Sequence, residues 1–286
     1  MNGRLAIIAG GGVLPLRIAE EARLQGDDPL IIALKNESNA DWSGFAKEIA
    51  SIGDFARIRT LFKDYGVDRV VLTGWVRRRP DWRDIRPTLS FLGRVPFVVR
   101  TLTRGGDNAV LEMVIALIEA LGCRVVGAHE VAPGLLATLG PIGAVRADKD
   151  AKGDMAVAIE AALMLGRLDI GQGAVAVGGR IVALEGPEGT DAMLLRVAEL
   201  KAAGRISSRR KGVLVKLAKP QQDVRADLPA IGTSTLENAL KAGLAGIVAE
   251  AGRSLVLDRA ELVRKADETG LFVMGVDPAI KEGKPL

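Results

Sequence analysis

A short apolar run, Arg4–Ala9, leads directly into three consecutive glycines and then into a helix that Pro15 opens. Proline suits the first turn of a helix because its φ is already fixed and it needs no partner for an N–H group. Further apolar runs, Leu30–Leu34 and Arg69–Leu72, are separated by helical stretches. Strands that alternate with helices in this way form parallel sheets covered by helices. The first part of the chain is therefore predicted to be an α/β domain with a Rossmann-like parallel sheet.

The second part of the chain has a different pattern. Ala174–Val177 and Ile181–Leu184 flank two consecutive glycines, which is typical of a hairpin because glycine tolerates positive φ. A stretch rich in proline and glycine, from 129 to 147, separates the two parts, and 286 residues exceed the usual size of one domain. We predict an N-terminal α/β domain over 1–134 with a glycine-rich phosphate turn. A C-terminal mixed α/β domain over 135–286 would carry the acidic catalytic motif.

The scarcity of cysteine and histidine restricts the chemistry. The chain has one of each, Cys123 and His129, so a disulfide framework is impossible and a zinc site would have at most two such ligands. We interpret His129 as a surface or hinge residue. A metal would then be a hard ion such as Mg²⁺ or Mn²⁺, bound by carboxylates and phosphate. The sequence has neither a membrane-spanning apolar run nor a signal peptide, so a cytoplasmic location is expected.

Positive charge is concentrated in one stretch between Trp75 and Gly105. It contains two aspartates, Asp81 and Asp84, and eight arginines: Arg77, Arg78, Arg79, Arg83, Arg86, Arg94, Arg100 and Arg104. Such a stretch suits phosphates, an anionic membrane face or nucleic acid, and a solvated loop is the alternative. Aromatic residues make up only 3% of the chain, which argues against nucleic acid because base stacking needs them.

Glycines follow two of the predicted strands. Gly10, Gly11 and Gly12 follow the first strand, and Gly74 follows the third. In open parallel sheets ligands bind beyond the carboxyl ends of the strands, where glycine amides and a helix start can hold phosphate. The fingerprint of a dinucleotide site is incomplete because Pro15 stands where its third glycine belongs. A phosphate contact and a purely structural turn both remain open, and an NAD(P)-dependent or nucleotide-sugar oxidoreductase is the weaker alternative.

A charged stretch near the end of a later strand has the residue types that pyrophosphate hydrolysis needs. Lys216, Lys219 and Arg225 could neutralise phosphate, while Asp223 and Asp227 could hold a metal or orient water. Spacing within a loop does not fix geometry, so a solvated charged loop is the alternative. Two further acids, Asp107 and Asp191, stand at helix starts preceded by glycine, where they could also serve only as N-caps.

Four segments of the chain together resemble the LpxI family, the UDP-2,3-diacylglucosamine pyrophosphatases of lipid A synthesis. The segments are 7–15 (IIAGGGVLP), 105–111 (GGDNAVL), 188–191 (EGTD) and 211–229 (KGVLVKLAKPQQDVRADLP). The resemblance runs from Leu5 to about Pro278, and the fourth segment is long enough to be specific.

This resemblance implies hydrolysis of UDP-2,3-diacylglucosamine to 2,3-diacylglucosamine 1-phosphate (lipid X) and UMP. Water would attack the sugar-side phosphorus with help from Mg²⁺, or alternatively Mn²⁺. The implied catalytic acids are Asp227 first and Asp223 second, and Asp191 and Asp107 join them as candidate metal ligands. The candidate substrate-binding residues are Gly10, Gly11, Gly12, Gly74, Asn108, Thr190, Lys216, Lys219, Gln221 and Arg225. We also expect peripheral association with the anionic inner-membrane surface, no binding of nucleic acid, and a homodimer.

Overall fold

The structure is a computed structural model that describes residues 3–77, 101, 107–225 and 228–279, with only the main chain at 107 and 108. The chain forms two compact units. The first contains the residues up to Gly134, together with the described residues Asp223–Arg225. The second contains Leu135–Gln222 and the chain from Leu228 onwards. We call Asp223–Arg225 the acidic segment. It therefore belongs to the first unit, although the chain on both sides of it belongs to the second.

A five-stranded sheet, in the order β3-β2-β1-β4-β5, forms the centre of the first unit, and all its strand pairs are parallel. The strands are β1 (Arg4–Ala9), β2 (Leu30–Leu34), β3 (Ala46–Ala50), β4 (Val67–Thr73) and β5 (Arg124–Val125). The helices described are α1 (Leu14–Leu24), α2 (Phe55–Asp64), α3 (Asp107–Glu119) and α4 (Ala128–Val131). The predicted parallel α/β sheet is confirmed.

Helices α2 and α3 pack on one face of this sheet. Ile58 and Leu61 of α2 and Ile115 of α3 share an apolar core with inward-facing strand residues such as Ile8 and Val70. Aliphatic side chains supply most of this core. Because such side chains alternate between the two faces of each strand, the neighbours of Ile8 and Val70 point to the opposite face.

The second unit is built on a six-stranded mixed sheet in the order β6-β13-β11-β9-β7-β8, beside a small parallel pair of β10 and β12. The strands are β6 (Gly140–Pro141), β7 (Gly173–Val177), β8 (Arg180–Leu184), β9 (Gly212–Lys216), β10 (Ala230–Ile231), β11 (Leu244–Glu250), β12 (Leu255–Val256) and β13 (Phe272–Val276). The helices are α5 (Lys149–Arg167), α6 (Gly189–Ala202), α7 (Thr233–Lys241) and α8 (Arg259–Thr269). The predicted mixed α/β architecture is confirmed.

The hairpin of β7 and β8 turns at Gly178 and Gly179, both of which have positive φ as predicted. The buried Asp154 of α5 closes this turn, because its carboxylate accepts hydrogen bonds from both glycine amides. Within the described part of the chain, no helix is long and apolar enough to cross a membrane.

Candidate active site

The glycine turn, formed by Gly10, Gly11 and Gly12 after β1, lies against the turn after β4. The Gly10 amide donates to the carbonyl of Thr73 at 2.9 Å, and Gly11 and Trp75 exchange main-chain hydrogen bonds of 2.8 and 3.2 Å. The Gly12 amide donates to Oδ1 of Asn39 at 3.0 Å. The structure thus brings the predicted residues Gly10–Gly12 and Gly74 together at the carboxyl ends of β1 and β4. Because protein groups already accept from these three amides, the turn is held by the chain itself, and its contact with phosphate stays a prediction.

Two of these glycines are required by the close approach of the turns. A Cβ atom on Gly10 would lie 2.5 Å from the main-chain carbonyl oxygen of Trp75. Gly74 has φ of +86°, and a Cβ atom there would lie 2.7 Å from the carbonyl oxygen of Gly11. Any side chain at either position would push the two strand ends apart.

An exposed tryptophan marks the outer side of this turn. Trp75 is 42% exposed, and the guanidinium of Arg77 lies 4.7 Å from the centroid of its ring. The main-chain amide of Arg77 donates to Glu37 at 2.9 Å. Arg77 is the first arginine of the basic stretch, whose other seven arginines lie outside the described residues. The described start of that stretch therefore lies beside the glycine turn.

The acidic segment is organised by an internal ion pair. Arg225 contacts Asp223 through its main-chain N at 2.9 Å, its Nε at 3.0 Å and its Nη2 at 2.7 Å. The hydrogen bonds from the Arg225 side chain hold the pKa of Asp223 below its usual value. Arg225 also pairs with Glu119 of α3 at 2.9 Å, which attaches the segment to the first unit.

This pairing bears on the predicted roles of both residues. Both carboxylate oxygens of Asp223 accept hydrogen bonds from Arg225, so Asp223 fixes the segment in this conformation. The charge of Arg225 is matched by Asp223 and Glu119 before any substrate binds. Asp227, the first choice for the essential carboxylate, lies outside the described residues, and its role stays a prediction.

The predicted residues that follow β9 attach their loop to the second unit. Lys216 donates from Nζ to the carbonyl of Ala230 at 3.0 Å. Lys219 pairs with Asp169 at 2.7 Å. The Gln221 amide donates to the carbonyl of Gly166 at 2.8 Å. In this structure the three side chains therefore hold the loop in place, and their contact with substrate stays a prediction.

A buried acid that we did not predict supports the same loop. Glu250, at the end of β11, is 5% exposed. Its carboxylate accepts from the Ala218 amide at 2.9 Å and from Arg253 at 3.2 Å. Its only signal in the sequence is that it ends an otherwise apolar run, Leu244–Glu250.

Replacing Glu250 by leucine is expected to lower the free energy of unfolding by about 3 kcal/mol, because the Ala218 amide and Arg253 both lose a buried acceptor. Glu250→Gln keeps an acceptor oxygen and should lose less than half of that. Urea unfolding followed by circular dichroism measures both, and Glu237→Leu, on an exposed helical position, serves as the control. Equal stability of the leucine and glutamine variants would contradict this role.

The two motif residues at the start of α6 differ in their surroundings. Thr190 is buried, and its hydroxyl donates to Oε1 of Glu185 at 2.8 Å. Asp191 is exposed in the first turn, and α6 begins at Gly189 with no side-chain cap, so the N-cap interpretation of Asp191 was wrong. Glu185, which is 7% exposed, was not predicted either.

The candidate metal ligands are only partly described. The side chains of Asp107 and Asn108 lie outside the description, as does Asp227. Across the part of the chain that the structure describes, no three acids, histidines or cysteines gather as a metal site. Mg²⁺ commonly uses one or two carboxylates together with substrate phosphate and water, so a smaller donor set would fit it.

Comparisons with known proteins cover nearly the whole chain. A family model described as "LpxI N-terminal domain" matches residues 4–135, and one described as "LpxI C-terminal domain" matches residues 138–274. A protein of Caulobacter vibrioides named "UDP-2,3-diacylglucosamine pyrophosphatase LpxI" is 41% identical over 277 residues, which cover 96% of this chain and 98% of that protein.

Solved structures show a weaker similarity. The Bordetella bronchiseptica enzyme WbmG, in complex with NAD and UDP, is 16% identical with a TM-score of 0.29, covering 43% of this chain and 36% of that one. WbmH of the same organism, in complex with NAD⁺, is 21% identical with a TM-score of 0.26, covering 41% and 37%. Neither similarity carries an argument about this protein. The two domain matches and the relative from Caulobacter together show that the chain belongs to the LpxI family.

Proposed function

We propose that this protein hydrolyses UDP-2,3-diacylglucosamine to 2,3-diacylglucosamine 1-phosphate and UMP. The observation that carries the proposal is the 41% identity, over almost the full length of both chains, to the relative whose name states this activity. Two features of the structure support it. The glycine turn and the turn after β4 meet at the carboxyl ends of their strands, where ligands of parallel sheets bind, and the acidic segment belongs to the same unit.

In the proposed reaction, the oxygen of a water molecule forms a bond to the sugar-side phosphorus. The bond from that phosphorus to the bridging oxygen breaks, and the bridging oxygen leaves with UMP. Asp227 is the proposed acid that orients the water and accepts its proton. Lys216, Lys219 and Arg225 are the proposed cations around the phosphates.

The proposed cofactor is Mg²⁺, with Mn²⁺ as a substitute. Its ligands would come from Asp227, Asp191 and Asp107, with Asp223 available only if Arg225 releases it. Bound there, the ion would neutralise charge on the phosphoryl oxygens.

The proposal is tested by UMP release from UDP-2,3-diacylglucosamine in detergent micelles, with Mg²⁺, Mn²⁺ or EDTA. We expect turnover that EDTA abolishes and either ion restores. In water labelled with ¹⁸O, the label should enter 2,3-diacylglucosamine 1-phosphate. Label in UMP would contradict attack at the sugar-side phosphorus, turnover in EDTA would contradict the metal, and a folded protein without turnover would contradict the activity itself.

We propose further that the basic stretch attaches the protein to the anionic inner membrane. Replacing Arg77, Arg78 and Arg79 by glutamine should lower the binding constant for phosphatidylglycerol vesicles, measured by sedimentation at low salt, about a hundredfold, because about 1 kcal/mol is lost per basic residue near the surface. The matched control replaces three exposed arginines of the second unit, Arg205, Arg209 and Arg210. Equal binding of the two triple variants would contradict the proposal. A homodimer stays a prediction that light scattering tests.

A further inference from the structure

Apart from arginine nitrogens, two buried polar side-chain atoms of the first unit have no hydrogen-bond partner within the described part of the chain. They are Oγ1 of Thr73, a residue that is 9% exposed, and Nδ1 of His129. A buried polar atom without a partner costs free energy, so native proteins rarely keep one unless a ligand or water completes it. His129 itself is only half-buried, as a surface or hinge residue would be, but its Nδ1 atom is buried and lacks the partner expected of a satisfied histidine.

Both residues lie at the carboxyl ends of neighbouring strands. β4 pairs with β5 through Val70 and Val125, Thr73 ends β4, and His129 follows β5 in helix α4. Helix α4 contacts both β4 and α1. Val70 faces the core beneath α2 and α3. Because side chains alternate along a strand, Thr73 points to the other face, the side of α4 and α1.

The same two residues adjoin the two motifs that the sequence singles out. The main-chain carbonyl of Thr73 accepts from the amide of Gly10, in the glycine turn. The imidazole of His129 lies against Gly127, where a Cβ atom would overlap its Nδ1. That Cβ atom would lie 3.1 Å from the carbonyl oxygen of Val224, in the middle of the acidic segment. Thr73 and His129 therefore adjoin the glycine turn and the acidic segment, respectively, at one edge of the sheet.

We infer that Thr73 and His129 are substrate-contacting residues whose hydroxyl and imidazole N–H donate hydrogen bonds to phosphoryl oxygen of the pyrophosphate. The inference rests on the proposed function. A phosphoryl oxygen fits because each group can act as a donor and because ligands of parallel sheets collect at this edge. Arg77 beside the glycine turn adds positive charge there. His129 acts in this role with its hydrogen on Nδ1.

The single histidine makes the test direct, because every imidazole signal in the NMR spectrum belongs to His129. The protein is titrated with UMP, with N-acetylglucosamine 1-phosphate and with uridine, and the imidazole C–H signals are followed. We expect a saturable shift with one or both phosphates and none with uridine. A shift with UMP alone assigns the contact to the nucleotide phosphate, and a shift with the sugar phosphate alone assigns it to the other. An unchanged spectrum with both phosphates, or an equal shift with uridine, overturns the inference.

Variants of Thr73 test whether its hydroxyl contacts the phosphate or only supports the local structure. Thr73→Val removes the hydroxyl without changing the shape of the side chain and should weaken phosphate binding about tenfold. Thr73→Ser should restore it. The control is Thr60→Val, since the Thr60 hydroxyl only bonds the Ala56 carbonyl within α2. Binding that Thr73→Val leaves unchanged would also overturn the inference.

Turnover of UDP-2,3-diacylglucosamine by the same wild-type sample distinguishes the two proposals. If the enzyme is active but neither phosphate shifts the His129 signals, the proposed function is supported and this inference is overturned. If the folded protein is inactive but phosphate shifts the His129 signals, the proposed substrate is contradicted and the phosphate contact is supported.

Discussion

Asp227→Asn is expected to lower kcat for UMP release about a thousandfold, because loss of a group that stabilises or activates the reacting atoms has an effect of this size. Asp223→Asn should lower kcat only about tenfold. The difference follows from the ion pair in the acidic segment. Arg225 already binds both oxygens of Asp223, so that carboxylate acts on the conformation of the segment.

Initial rates at saturating substrate and Mg²⁺ measure both variants, with Asp64→Asn, an exposed position at the end of α2, as the control. Circular dichroism confirms that each variant is folded. If Asp223→Asn lost as much kcat as Asp227→Asn while remaining equally stable, Asp223 would have to leave Arg225 and act on the substrate or metal directly.

Gly74→Ala is expected to destabilise the first unit by at least about 3 kcal/mol, since backbone strain at positive φ adds to a steric overlap in a packed site. Its φ is +86°, and the new Cβ atom would lie 2.7 Å from the carbonyl oxygen of Gly11. Main chain cannot move aside as the end of a flexible side chain can. The turn that Thr73 and Trp75 share with the glycines would open.

Gly122→Ala is the matched control for this substitution. Gly122 has a similar φ of +93°, but no atom lies within 4 Å of its added Cβ atom. It should therefore show only the cost of positive φ, about 1–2 kcal/mol. Urea unfolding of both variants measures the difference, and equal losses would mean that the contact between the two turns does not constrain Gly74.

The fold was predictable where strands are short, apolar and buried. Arg4–Ala9 and Leu30–Leu34 have the bounds that the sequence predicts, because every residue from Leu5 onwards in these strands is buried. β3, Ala46–Ala50, was missed because this edge strand carries Lys47 and Glu48 and is largely exposed. Its pattern resembles a polar loop, and only its pairing with β2 makes it a strand.

The candidate site was less predictable, because its contacts join distant residues. The sequence indicated the residue types of the acidic segment, but Arg225 pairs with Glu119, which is 106 positions away. Nothing in local spacing indicates such a partner. Glu185 and Glu250 were missed for a related reason. Each is an acid at the end of an apolar run, which is the one signal that could have found them.

The path of the chain through the acidic segment has a consequence for how this protein can be divided. Asp223–Arg225 belong to the first unit, while the chain on both sides belongs to the second. A fragment that ends at Gly134 would therefore lack the partner of Glu119 and the carbonyl beside Gly127. Neither unit can be exchanged between relatives as an uninterrupted stretch of gene. Because the first unit is completed by a segment encoded within the second half, an exchange of that unit would have to carry this segment as well as the chain up to Gly134.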